Sequence, residues 1–186
     1  MKIPVLHLTR LSMFTALGVT LGYALMSIPN VELVTATVFI AGVVSGVRGG
    51  AFVGAVTEGI FSLFHPLGAP SPPLWIAQVL SMAIAGAAGG LFFGSASPLT
   101  PSKAIRIGIA GFLCTLNFAV LTTLAYSLTV SFSMKQILAS LIFGLGFYVA
   151  HLISNTVIFF TVVPAVLKIL SSGTILTKPQ LQGKPR

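Results

Sequence analysis

Long apolar runs follow one another along this chain, and its few basic side chains sit almost entirely in alternate gaps between them. Lys2, Arg10, Arg48, Lys103, Arg106, Lys168, Lys178, Lys184 and Arg186 fall at the start, at the end or in every second gap. Lys135 alone falls in another gap. A chain threaded back and forth through a bilayer therefore places nine of its ten basic groups on one face. Cytoplasmic loops carry such an excess of Lys and Arg, and the bias sets orientation. The pattern predicts an all-α integral membrane protein of six transmembrane helices, with both termini cytoplasmic.

Composition points the same way. Only 6% of the 186 residues are charged, against about 25% in soluble domains, and the mean hydropathy is +1.04. A net charge of +8 raises nucleic acid as a partner, but the basic groups are singletons between apolar runs and form no groove or stripe. They suit orientation and contact with the anionic headgroups of a lipid bilayer, and no nucleic-acid partner is expected. Cys114 is the only cysteine and lies in an apolar run, where it reads as a small packing residue.

Breaks at Pro and Gly divide the chain into helices at about 8–28, 32–47, 51–64, 72–93, 103–128 and 133–170. Residues 1–170 form a single membrane domain, and residues 171–186 read as a polar, disordered cytoplasmic tail. The first apolar stretch exceeds the usual ~7–15-residue core of a cleaved signal, so it reads as a retained helix. Pro72-Pro73 suits a helical first turn, Ser133 to Gln136 resembles a capping box, and Pro164 predicts a bend. The second and third helices are short, and one long span or a re-entrant hairpin is the alternative. Arg48 opposes merging, because a charge at mid-membrane is costly; at a turn it costs little.

Small residues recur at helical spacing. Ser12, Ala16, Gly18 and Gly22 form one set on the first helix, and Gly42, Gly46, Gly50 and Gly54 another through the second turn. Such spacing lets backbones approach where lipid offers no hydrophobic drive. Packing within the bundle accounts for most of these positions, while in the first-helix set Ser12 and Ala16 lie on the half nearest the cytoplasm, and the set suits docking to a second protein.

Polar groups inside apolar spans are functional hypotheses by default. Glu58 lies about 15 Å from the inner end of the third helix at ~1.5 Å per residue. Tyr148, His151 and Asn155 share one face of the last helix. Asn117 and Tyr126 lie on the fifth, Trp75 and Gln78 at the outer start of the fourth. Trp75 and Tyr126 also suit headgroup-depth aromatics, and Asn117, His151 and Asn155 also suit interhelical hydrogen bonding. Glu32 reads as a complement to a helix N-terminus. A buried carboxylate at Glu58 needs a partner or a proton, and His151 or a cationic ligand could supply one. These groups cluster at mid-span or outward. They predict a polar and aromatic pocket that opens outward, roofed by residues 29–31 and 65–71.

Other chemistry leaves no trace in the sequence. No phosphate-cradling Gly-rich loop with its Lys occurs, and neither HExxH nor a Gly-x-Ser-x-Gly elbow is found. No His pairs with Cys or Asp at metal-ligand spacing, so neither a metal nor a cofactor is expected.

Two segments carry a family resemblance: Leu11-Ser12-Met13-Phe14-Thr15-Ala16-Leu17-Gly18, and the glycine-rich turn Ala41-Gly42-Val43-Val44-Ser45-Gly46-Val47-Arg48-Gly49-Gly50-Ala51-Phe52-Val53-Gly54. With chain size and six spans, they make residues 8–170 similar to substrate-binding (S) components of energy-coupling factor transporters, the vitamin-uptake branch of the ABC superfamily. Ser12 departs from that family's usual alanine pair. The resemblance implies a multi-pass protein of a prokaryotic cell membrane that binds a vitamin or related micronutrient outside. It also implies docking through the first helix to a membrane coupling subunit driven by two cytoplasmic ATPases, with no catalysis by this chain. Thiamin-like, riboflavin-like and cobalamin-like ligands all fit the polar set. The alternative is a small intramembrane enzyme or assembly factor that uses Glu58 and His151 as an acid–base pair.

Overall fold

The computed structural model describes residues 5–92, 100–130 and 133–172, and these are helical with short connections and no strand. Five helices follow in order: α1 Val5–Leu25, α2 Val34–Leu63, α3 Pro72–Phe92, α4 Pro101–Val130 and α5 Met134–Ser172. All five are long and apolar enough to cross a membrane. Local chemistry explains their starts. The Glu32 carboxylate accepts the Thr35 N–H at 2.9 Å at the mouth of α2. Pro72 and Pro101 open α3 and α4, where a missing N–H costs nothing. The Ser133 hydroxyl accepts the Gln136 N–H at 3.2 Å, which supplies one half of the expected capping box. α5 runs on through Pro164.

Where two separate short helices were expected, the structure has one element, α2, broken only at Gly46 (φ 80°, ψ 176°). Glycine alone adopts such angles without strain, so one residue reverses the chain and no loop intervenes. The reversal is visible from α1. A Cβ on Gly18 would meet Thr57 at 2.7 Å and Thr37 at 3.7 Å, and one on Gly22 would meet Phe61 at 2.9 Å and Val34 at 3.1 Å. Residues at similar distances on either side of the turn thus lie against the same glycine of α1, and α2 is a hairpin of two arms, 34–45 and 47–63. A single straight span through this region is excluded.

The hairpin is the centre of the molecule. Its arms pack against α3 with backbone touching backbone: a Cβ on Gly42 or Gly50 would strike the Gly86 carbonyl, and one on Gly54 the Met82 carbonyl. α1 covers the hairpin's other side. α4 and α5 run antiparallel, with the Phe159 and Phe160 rings seated on Gly111 and Gly108. Phe39 of the hairpin meets Phe159 edge-on at 5.1 Å, within a core that includes Val43, Ile107, Val163 and Leu167. Large apolar side chains such as Phe143 (85% exposed) face outward from the bundle, as lipid-facing residues do.

The two ends of the bundle differ in charge. Arg10, Arg48, Lys103, Arg106 and Lys168 gather at the end that holds the Gly46 turn, and Lys135 lies at the opposite end. Lys2, Lys178, Lys184 and Arg186, the proposed tail beyond 172 and the break at 93–99 lie outside the described residues.

Candidate functional site: a cavity at the loop end

The end opposite the Gly46 turn holds a cavity of about 470 Å³. Two connections roof it. Ile28 to Val31 come from the α1–α2 connection, and His65, Gly68 and Pro70 from the α2–α3 connection. Leu25, Phe61, Met82 and Phe118 supply apolar wall, and Glu32, Glu58, Ser62, Gln78 and His151 supply polar groups. The chain has two acidic residues, and both line this one cavity.

Glu32 is the better supported of the two carboxylates. Its Oε1 accepts from the Thr35 hydroxyl at 2.5 Å and from Asn155 Nδ2 at 2.7 Å, while Oε2 accepts the Thr35 N–H. His151 Nε2 stands 3.7 Å from the same Oε1. Burial works to raise the carboxyl's pKa, but the nearby His151 imidazole and the hydrogen bonds from Thr35 and Asn155 outweigh it and hold the group below its usual 4.5. Asn155 is fully buried; its Nδ2 also reaches Thr115 Oγ1 and His151 Nε2, each at 3.1 Å. A flipped amide would turn its oxygen onto the Glu32 carboxylate, so Glu32 fixes the orientation. One residue away, the Ser154 hydroxyl donates to the Asn30 carbonyl, in the roof itself. Asn30 has φ 61°, a left-handed angle that Asn tolerates better than most residues. α5 thereby holds both the roof and the mouth of α2.

Glu58 is placed differently. It is 3% exposed, lines the cavity, and its carboxylate meets no hydrogen-bond donor or cation among the described residues. Only its backbone carbonyl is engaged, by Ser62 at 2.6 Å. A carboxylate so enclosed needs a proton or a positively charged partner.

The expected site residues thus divide. Glu58, Gln78 and His151 line the cavity, and Asn155 stands immediately behind His151. Trp75, Asn117, Tyr126 and Tyr148 do not line it. Trp75 lies against Gly59, Tyr126 is 47% exposed on α4, and the Tyr148 hydroxyl accepts from Thr123 at 2.8 Å within the α4–α5 contact. Asn117 is half-buried with its amide nitrogen unpartnered. His151 meets Glu32, so the expected Glu58–His151 pair is not assembled. Glu32, assigned to helix capping alone, both caps α2 and lines the cavity. Phe61, Met82 and Phe118 were not anticipated either; Phe118 meets the His151 ring edge-on at 6.0 Å.

The small residues of α1 divide as well. Ser12 and Ala16 are exposed, whereas Gly18 and Gly22 are buried against the hairpin. Among the described residues no group of three or more His, Cys, Asp or Glu side chains could hold a metal ion. In comparisons with known proteins no family model matches the chain, and no curated protein or solved structure matches it either.

Proposed function

We propose that this chain is the substrate-capture subunit of an energy-coupling-factor-type importer, set in a prokaryotic plasma membrane with six crossings and both termini cytoplasmic. On this reading the two arms of α2 count as separate crossings. The observation that carries the reading is the roofed cavity at one end of the bundle, with the basic residues gathered at the other. Basic ends stay on the cytoplasmic side, so the cavity faces outward, where a scarce micronutrient arrives. Its size suits a ligand on the scale of thiamin or riboflavin. The apolar walls with a few placed polar groups are the usual make-up of a small-molecule site. At the basic end, the exposed Ser12 and Ala16 of α1 offer a flat surface for a membrane coupling subunit, itself driven by two cytoplasmic ATPases.

The experiment is uptake and retention together. Purified protein should carry a micronutrient identifiable by mass spectrometry, and cells that hold the chain with a coupling subunit and two ATPases should accumulate it. A protein that chemically alters the compound, or supports no ATP-dependent uptake, overturns the reading.

A further inference from the structure

The two carboxylates at the cavity are not equivalent, and their difference says what kind of ligand the cavity takes. Glu32 has its acceptor capacity engaged by Thr35 and Asn155, with His151 close by. It is tied into the fold and has little left to offer a guest. Glu58 is as deeply enclosed as a core residue, yet no donor or cation among the described residues reaches its carboxylate, which lines the cavity. Either a proton or a cation held in the cavity completes it.

Among the described residues no Lys or Arg lines the cavity, and its two histidines have other contacts. His151 lies on Glu32 and Asn155, and His65 Nδ1 accepts the Leu67 N–H at 3.2 Å. A chain of net charge +8 has therefore placed both of its carboxyl groups around one space, and none of the described Lys and Arg residues lines it. Such a space repels anions and favours a cation.

The remaining lining excludes a bare metal ion as the natural guest. Phe61, Met82, Phe118 and Leu25 give apolar wall, and hard cations need a shell of oxygen ligands. Gln78 brings a buried side-chain oxygen with no hydrogen-bond partner, an acceptor suited to a second N–H. We infer that the cavity takes a small organic cation with a flat or apolar body, its charged N–H-bearing or heteroaromatic nitrogen centre against Glu58 and a further donor on Gln78. This inference rests on the capture reading and narrows its ligand from any micronutrient to a positively charged one.

Wild-type protein and the Glu58→Gln and Glu58→Asp variants are purified full length into lipid nanodiscs. The compounds they release on denaturation are identified against empty nanodiscs. The compound found, with thiamin, riboflavin and biotin as cationic, neutral and anionic probes, is then added back in equilibrium dialysis. The expected result is a retained compound that is positively charged at pH 7. Its binding should weaken roughly 30-fold or more in Glu58→Gln, with Glu58→Asp between, as for one truncated member of a desolvated charge pair. A neutral or anionic compound on the wild-type protein overturns the inference and leaves the capture reading standing, and that result needs no variant to fold. Equal retention by folded Glu58→Gln does the same. Protein that retains and binds no small molecule overturns both.

Discussion

Asn155 Nδ2 lies 2.7 Å from Glu32 Oε1, joining the middle of the last helix to the segment that leads into the hairpin, across 123 positions of sequence. The same nitrogen reaches Thr115 on α4. One buried amide thus connects three elements at the level of the cavity.

Removing that amide should loosen the loop end. Asn155→Ala is expected to destabilise the protein by about 1–2 kcal/mol, the upper range for interhelical hydrogen bonds in membranes. Thr115→Val should cost less, about 1 kcal/mol or below, because it removes only one of the partners. Unfolding by graded SDS, followed by circular dichroism, measures both.

Acid should act through the same contact. The Glu32 carboxyl is held below its usual 4.5, so it stabilises the fold above that pH and the contribution is lost as pH falls through the lower folded value. Thermal stability of the wild type is therefore expected to decline below pH 4.5, and the decline should be shallower in Glu32→Gln. Parallel melting curves from pH 7 to pH 3 decide it; equal slopes contradict the assignment.

The glycines of the hairpin differ sharply in what they tolerate. Gly50→Ala places a methyl group on the Gly86 carbonyl and should cost about 2–3 kcal/mol or prevent monodisperse folding. Gly59→Ala meets nothing closer than 3.7 Å, and should be neutral or stabilising by up to about 1 kcal/mol. Size-exclusion profiles and melting temperatures of the two variants make the comparison.

Within the cavity, Phe118→Ala should weaken retention of the co-purifying compound about tenfold, since it removes an aromatic wall and the ring against His151. Trp75→Phe should leave retention unchanged, because Trp75 does not line the space. Dialysis against the labelled compound separates the two.

Ala16→Trp tests the coupling surface. Ala16 is exposed on α1, so the purified variant should bind ligand like the wild type. Uptake in cells with the coupling subunit should be lost. Normal uptake would remove this face from the docking surface.

Much of the framework was legible because it rests on local chemistry. Pro72 and Ser133 mark helix starts through the missing or unsatisfied N–H groups of a first turn, whereas α4 opens at Pro101, two residues before the expected start at Lys103. The glycine-rich run announced a reversal, and Gly46 makes it. The pocket was less legible. Helical periodicity shows that His151 and Asn155 share a face, but not that the face meets Glu32. That pairing depends on how α5 lies against a hairpin more than a hundred residues earlier. One clue was available. With the turn at Gly46, Glu32 and Glu58 lie fourteen and twelve positions from it on opposite arms, which brings both to the same end. Trp75, Asn117, Tyr126 and Tyr148 do not line the cavity; residue type and depth do not specify rotation about a helix axis, and neighbouring packing sets that.

The glycine contacts carry a mechanical consequence. Where carbonyl meets α-carbon with no side chain between, as at Gly42, Gly50 and Gly86, one helix cannot slide past the next without collision. The hairpin and α3 therefore behave as one stiff slab. α4 and α5, pinned by Phe159 and Phe160 on Gly111 and Gly108, make a second. Across the hairpin–α5 face, Phe39 on Phe159 fastens the slabs deep in the bundle and Glu32 on Asn155 fastens them at the cavity mouth. The first contact is apolar and indifferent to what the cavity holds, whereas the second lies on its wall. The bundle is therefore joined by an apolar contact in its depth and by a polar one beside the cavity.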